Sequence, residues 1–156
     1  GTAGSPEKCA LAKSLGATHV INYREEDWVK RVKEITDGKG CHVVYDGVGK
    51  DTFLPSLDCL RPRGMMVTFG NASGPAPEIQ PLLLSQKGSL FLTRPTLFHY
   101  IASRSDLELS ASALFDVVTR GVVKIQIGHR YPMKDAAQAH RDLQARKTTG
   151  ATILLP

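Results

Sequence analysis

Long apolar runs are missing from this sequence of 156 residues. No stretch approaches the roughly 18 consecutive apolar residues that a membrane-spanning helix needs, and no basic-then-apolar segment of the secretory kind opens the chain. Cysteine is scarce: Cys9, Cys41 and Cys59 are an odd number at wide spacing. They form no metal-ligand pattern and argue against a disulfide framework, so a reducing cytoplasm is the expected compartment. The five histidines, His19, His42, His99, His129 and His140, are scattered, and no pair has the HExxH or HxxEH spacing. No nucleophile–base set emerges either. Asp58 stands beside Cys59, where an acid lowers a thiol's nucleophilicity. No catalytic side chain and no metal ligand is assigned. Internal repeats and low-complexity segments are also absent.

The remaining composition is that of an ordinary globular chain, 42% hydrophobic and 22% charged, long enough for one domain with a real core. The formal charge is +5. Its basic residues are dispersed rather than gathered in a stripe, with no aromatic residues interleaved to stack bases. That distribution favours a small anionic ligand over nucleic acid.

Short apolar runs alternate with amphipathic helical stretches. Ser5 and Pro6 read as an N-cap and first helical residue, and Gly16 as the stop, with Ala10, Leu11 and Leu15 on the buried side. Residues 18–22 read as a strand. Residues 25–36 return to helical spacing, with Trp28, Val29, Val32 and Ile35 on one face. Residues 43–45 form a buried-type strand that ends in Asp46, Gly47, Val48 and Gly49. A helix over 52–60, a strand over 65–69, a Gly- and Pro-rich loop over 72–81, a short helix at 82–84 and a strand from Ser89 to Thr93 follow. The last third reads as a helix over 107–119, a strand over 122–127, a helix capped by Asp135 running past Ala139 and Leu143 towards Arg146, and a strand at 153–155. This alternation predicts an α/β fold: a Rossmann-like, doubly wound parallel sheet.

Ligands of an open parallel sheet bind beyond the carboxyl ends of its strands. The residues at those ends are Tyr23 and Arg24; Asp46 to Gly49; Phe69, Gly70 and Asn71; and Thr93, Arg94 and Pro95. Three of the four groups carry glycine, proline or both, as close approach of backbone to a ligand requires. Gly1 to Ser5 lacks the G-x-G-x-x-G spacing and fits the turn after the second strand of a dinucleotide fold. An acid there bonds the ribose hydroxyls of NAD, whereas a 2′-phosphate wants small polar and cationic groups. Here the turn offers Thr2 and Ser5, with Lys8 one turn into the helix, while Glu7 lies past the cap. The charges favour NADPH.

Residues 20–27 (VINYREED), residues 43–49 (VVYDGVG), Phe69-Gly70-Asn71, and Gly88-Ser89-Leu90 with Thr93-Arg94-Pro95 together resemble quinone oxidoreductases of the zeta-crystallin type, in the medium-chain dehydrogenase/reductase superfamily. The resemblance runs through the whole chain to Gly150 and the terminal residues 153–156. It implies hydride transfer from NADPH to a quinone, without zinc. It places Ser5, Lys8 and Tyr23 around the adenosine 2′-phosphate and Gly47 and Val48 on the adenine side. Phe69, Gly70, Asn71, Leu92, Thr93 and Arg94 run towards the nicotinamide, and Arg146 reaches the cofactor. It further implies that residues 1–134 are a nucleotide-binding domain lacking its first strand, glycine loop and helix, and that 135–156 belong with a catalytic domain. Relatives pair as homodimers through the strand matching Ser89 to Thr93. A reductase of enones or other unsaturated carbonyls, a crystallin-like or RNA-binding role, and a methyltransferase reading of Asp46 stay open. The chain alone is expected to associate and to bind NADPH weakly or not at all.

Overall fold

Ser5 and Pro6 begin the first helix as their chemistry dictates. In the computed structural model, which describes residues 1–156, the Ser5 hydroxyl accepts the Lys8 N–H at 3.3 Å, and Pro6 opens α1 (Pro6–Ser14). Just before it, β1 (Thr2–Ala3) pairs in parallel with β2 (Ile21–Asn22), so only Gly4 and Ser5 of the expected five-residue turn are turn. The half-buried face of α1 carries Cys9, Leu11 and Ala12, and the expected core residues Ala10 and Leu15 are exposed.

Helix α2 (Trp28–Ile35) starts later than its periodicity suggests, because Asp27 caps it by accepting the Lys30 N–H at 3.0 Å. Glu25 and Glu26 instead turn back onto the Asn22 carbonyl. Its face of Trp28, Val29, Val32 and Ile35 is half-buried, as read.

A second parallel sheet has the order β3 (Cys41–Asp46), β4 (Leu60–Thr68), β5 (Phe91–Thr93). Strand β4 begins five residues earlier than the apolar run. Its register steps from Cys41↔Leu60 to Val43↔Met65, so residues 61–64 bulge out of the ladder. Arg63 takes φ 61° in that bulge and donates its N–H to the Gly88 carbonyl at 2.7 Å. The strand expected from Ser89 onward shortens to Phe91–Thr93, because Ser89 sits at φ 55° and Leu90 donates its N–H to the Leu84 carbonyl. Between these strands lie α3 (Phe53–Asp58) and α4 (Pro81–Gln86). The core gathers Phe53, Leu57, Leu60, Met66 and Leu90, with Val44, Ile79, Leu83 and Leu84 packed against it. Only one face of β3 is in it: Val43 and Tyr45, expected to be buried, are 40% and 72% exposed.

The chain divides into two compact units, Gly1–His99 and Tyr100–Pro156. A one-turn helix without a sequence signal, α5 (Leu97–Tyr100), lies at the division. In the second unit, α6 (Arg104–Thr119) is capped by Ser103, whose hydroxyl accepts the Asp106 N–H at 3.1 Å. The strand expected at 122–127 is displaced to β6 (Ile127–Pro132). Val122 and Val123 instead donate their N–H groups to the Val117 carbonyl and wrap the helix end. Parallel pairing with β7 (Ala151–Leu155) decides the strand, in the register Arg130↔Ile153 and Tyr131↔Leu154. A 3-10 turn (Met133–Asp135) leads into α7 (Ala136–Gln144), and Asp135 precedes that helix without capping it through its side chain.

The architecture is thus α/β with parallel sheets, as expected. The single sheet read from the sequence is realised in the first unit as a two-stranded and a three-stranded parallel piece.

Candidate functional site

The carboxyl end of β3 is built around one buried side chain. Asp46 is 4% exposed, and its carboxylate accepts hydrogen bonds from donors on three sides. Oδ1 takes the N–H groups of Val48 (2.8 Å) and Gly49 (3.0 Å), which folds the turn back over the strand end. The Thr52 hydroxyl reaches both oxygens at 2.9 and 2.8 Å, and the Ser56 hydroxyl reaches Oδ2 at 3.1 Å. Sequence reasoning singled out Asp46 but missed Thr52 and Ser56. Their signal was a pair of hydroxyls at i, i+4, on one face of the helix that follows a strand-end acid.

The ends of β3 and β4 are joined through backbone. The Asp46 carbonyl accepts the Phe69 N–H at 2.9 Å, the Gly47 carbonyl that of Ala72 at 3.3 Å, and the Val48 carbonyl that of Ser73 at 2.8 Å. The Ser73 hydroxyl also donates to the Val48 carbonyl at 2.9 Å. A Cβ at Gly70 would collide with the Gly47 carbonyl, and one at Gly47 would press on the Phe69 ring at 3.1 Å. Gly70 must be glycine for the two loops to touch, whereas a side chain at Gly47 would require the exposed Phe69 ring to move by a few tenths of an ångström. From the end of β5, the Arg94 guanidinium donates to the Gly70 carbonyl and to Asn71 Oδ1, each at 3.3 Å. The structure therefore brings Gly47, Val48, Phe69, Gly70, Asn71 and Arg94 into one rim, with Leu92 and Thr93 on the strand that leads to it.

A second group lies at the carboxyl ends of β1 and β2. A Cβ on Gly4 would sit 2.5 Å from the Tyr23 hydroxyl oxygen, so the Tyr23 side chain lies against the turn that Ser5 caps. Tyr23 thus stands beside Gly4, the residue before Ser5, and Lys8 stands in the first turn of α1. Glu7 is closer to this group than its position past the cap suggests: a hydrogen bond to backbone, and then one with the Ser5 side chain, hold its carboxyl below the usual range. Arg146 lies in the other unit, just past α7, at φ 59°.

Elsewhere the geometry offers little chemistry. A cavity of about 340 Å³ is lined by Gly1, His19, Ile21, Ile35 and Cys41 among others. It opens at the amino ends of the strands, opposite to where parallel sheets bind ligands. Cys59 is 1% exposed, and burial, reinforced by Cys41, pushes its thiol up to about 12, so it is no nucleophile at neutral pH. No three His, Cys, Asp or Glu side chains converge into a group that could hold a metal ion.

Residues 1–116 match the family described as zinc-binding dehydrogenase. The zinc of that description finds no donor set among these residues. A quinone oxidoreductase of Pseudomonas aeruginosa is 52% identical over 156 residues, covering 100% of this chain and 48% of the relative. A 2-haloacrylate reductase of a Burkholderia species is 46% identical, covering 100% of this chain and 47% of the relative. Among solved structures, the Escherichia coli quinone oxidoreductase complexed with NADPH superposes with a TM-score of 0.96 at 49% identity, over 100% of this chain and 48% of that one. The chain spans about half the length of the relatives it matches. With three quarters of its length matched by the family and a parallel α/β architecture shared with its structural neighbours, this chain belongs to the zinc-binding dehydrogenase family.

Proposed function

We propose that the protein containing this chain transfers hydride from NADPH to a quinone, giving NADP⁺ and, with one proton, the hydroquinone. The observation that carries this reading is the rim at the ends of β3 and β4, where Gly70 lies directly on the Gly47 backbone with no room for a side chain between them. A flat ring system can lie against such a surface, and hydride transfer depends on positioning two rings more than on a protein nucleophile. The chemistry of hydride donation belongs to the nicotinamide; this chain binds and orients it.

In this reading Ser5, Lys8 and Tyr23 hold the adenosine 2′-phosphate, and Gly47 and Val48 flank the adenine side. Phe69, Gly70, Asn71, Leu92, Thr93 and Arg94 run along the nicotinamide side, and Arg146 is the remaining residue that the resemblance assigns to the cofactor. Glu7 carries a negative charge beside Ser5, so it swings away when the phosphate arrives. Residues 135–156 pack with a catalytic domain. The edge of β5, where Phe91 is 57% exposed, pairs with its copy in a homodimer. No helix is long and apolar enough to cross a membrane, which is compatible with action in the cytoplasm.

A second reading has a specific observation behind it: the 46% identity to a 2-haloacrylate reductase makes an activated carbon–carbon double bond an alternative acceptor. NADPH oxidation by the full-length protein, compared with 1,4-benzoquinone and with 2-chloroacrylate, separates the two. A higher kcat/KM with the quinone is expected. A higher value with the acrylate would reverse the assignment, and no NADPH oxidation with either would remove it.

A further inference from the structure

The Asp46 carboxylate is buried and takes no ion pair, yet all of its partners are neutral donors: two backbone N–H groups and two hydroxyls. A carboxylate removed from water is costly unless its oxygens are fully hydrogen-bonded. Here they are, and the partners belong to two different elements. The N–H groups are those of the turn, Val48 and Gly49. The hydroxyls are those of Thr52, at the N-terminus of α3, and Ser56, within it. Helix α3 is itself fixed in the core through Phe53 and Leu57, 2% and 1% exposed. Asp46 therefore ties the turn to a helix anchored in the buried core of the unit.

On its other side the same turn is joined to the end of β4 by three backbone hydrogen bonds and by the Gly47–Gly70 contact. A shift of the turn cannot be absorbed between the loops, because no side chain lies between Gly47 and Gly70 to yield. The shift passes to Gly70 and Asn71, and to Arg94, which is bonded to both. We propose that Asp46, with Thr52 and Ser56, is a positioning unit that sets the Gly47–Val48 backbone against Gly70–Asn71 for the nucleotide, acting through these loops on how the cofactor is held. The proposal rests on the NADPH reading above.

The test uses the full-length protein with steady-state kinetics, NADPH calorimetry and thermal unfolding. Asp46→Asn keeps the shape but turns an amide donor towards hydroxyls that now donate. It is expected to raise the KM for NADPH by about tenfold, the order that small misplacements of a binding group produce. Because Gly70, Asn71 and Arg94 stand on the nicotinamide side in the NADPH reading, kcat falls as well, by less than the KM for NADPH rises, while the KM for quinone stays within about twofold. Thr52→Val, which is isosteric and removes only the hydroxyl, is expected to raise the same KM by about threefold, and Thr52→Ser to restore it. Thr68→Val is the control. Thr68 is buried beside Asp46 in the β4 register but makes no bond to it, its hydroxyl having no protein partner, so KM stays unchanged. If Asp46→Asn does not fold, Thr52→Val decides. A folded Thr52→Val variant with wild-type KM for NADPH overturns the proposal, as does a fall in kcat and unfolding temperature with KM unmoved. Wild-type protein that neither binds nor oxidises NADPH fails the functional reading first and takes the proposal with it, so the two failures are distinguishable.

Discussion

Leu57 and Leu114 both stand on helices with apolar stripes, and the two units of the molecule treat them in opposite ways. Leu57, on the short α3, is 1% exposed in the first unit; Leu114, on the 16-residue α6, is 54% exposed in the second. The contrast extends to whole elements. The first unit contains the core around Met66 and a buried polar network at Asp46, whereas Ala139 is the only hydrophobic core residue of the second. Helix α6 is held by what it supplies itself: the Ser103 cap and the exposed pairs Arg104–Glu108 and Arg120–Asp116. Exposed pairs of that kind contribute under about 1 kcal/mol each. An amphipathic pattern therefore says that a helix has a face to bury; only the structure says whether anything in the chain buries it.

The largest expected effect tests this directly. Leu57→Ala should destabilise the chain by about 2–5 kcal/mol, the range for a fully packed leucine, and Leu114→Ala by no more than about 0.5 kcal/mol. Urea denaturation followed by circular dichroism measures both. Equal costs would break the comparison. A Leu114→Ala cost of several kcal/mol in the full-length protein, with little in this chain, would sharpen it by showing that α6 is covered by residues outside these 156.

Glycines offer the same contrast at a smaller scale. Gly70→Ala drives a methyl group into the Gly47 carbonyl, and neither backbone can yield cheaply. A cost of about 1–3 kcal/mol is expected, together with loss of the strand-end rim. Gly121→Ala meets open space, and its φ of 71° leaves only the left-handed penalty of about 1 kcal/mol. Denaturation midpoints rank the two; a costlier Gly121→Ala would mean that the turn after α6 is packed more tightly than its surroundings show.

How much of this was legible in the sequence follows from which features are local. The α1 start at Ser5 and Pro6, the half-buried face of α2, and the glycine-bearing ends of β3 and β4 depend on neighbours a few residues away, and the pattern carried them. The position of β6 did not, because Val122, Val123 and Ile125 look more strand-like than His129 and Arg130, and only pairing with β7 decides the register. The bulge at 61–64 was hidden for the same reason: it exists because Leu60 pairs with Cys41 while Met65 pairs with Val43. At the site, motifs located the rim. They could not reveal that Thr52 and Ser56 close on Asp46, or that Arg94 grips Gly70 and Asn71, since each contact needs two elements in place.

The smallest expected effect concerns the second unit's link between β6 and α7. The Tyr131 hydroxyl donates to Asp142 Oδ2 at 3.0 Å, while the Gln138 amide donates to Oδ1 at 3.0 Å. The Gln138 amide first, and then the phenol, hold the Asp142 carboxyl below its ordinary value of 3.8; the bond to Asp142 lifts the Tyr131 phenol above its ordinary 10.0. A lowered acid contributes stability above its unfolded pKa and loses it as pH falls through the lowered value. A raised phenol contributes below its unfolded pKa and loses it as pH rises through the raised value. The link should therefore be complete between about pH 4 and pH 10 and fail outside that window at both ends. Absorbance titration of the tyrosinates should show Tyr131, identified by its loss in Tyr131→Phe, ionising later than a free phenol. Asp142→Asn should return it towards the ordinary value. A Tyr131 that titrates normally in the wild type would mean that this bond is too weak to order β6 against α7, leaving the second unit held by its strand pair and helix caps alone.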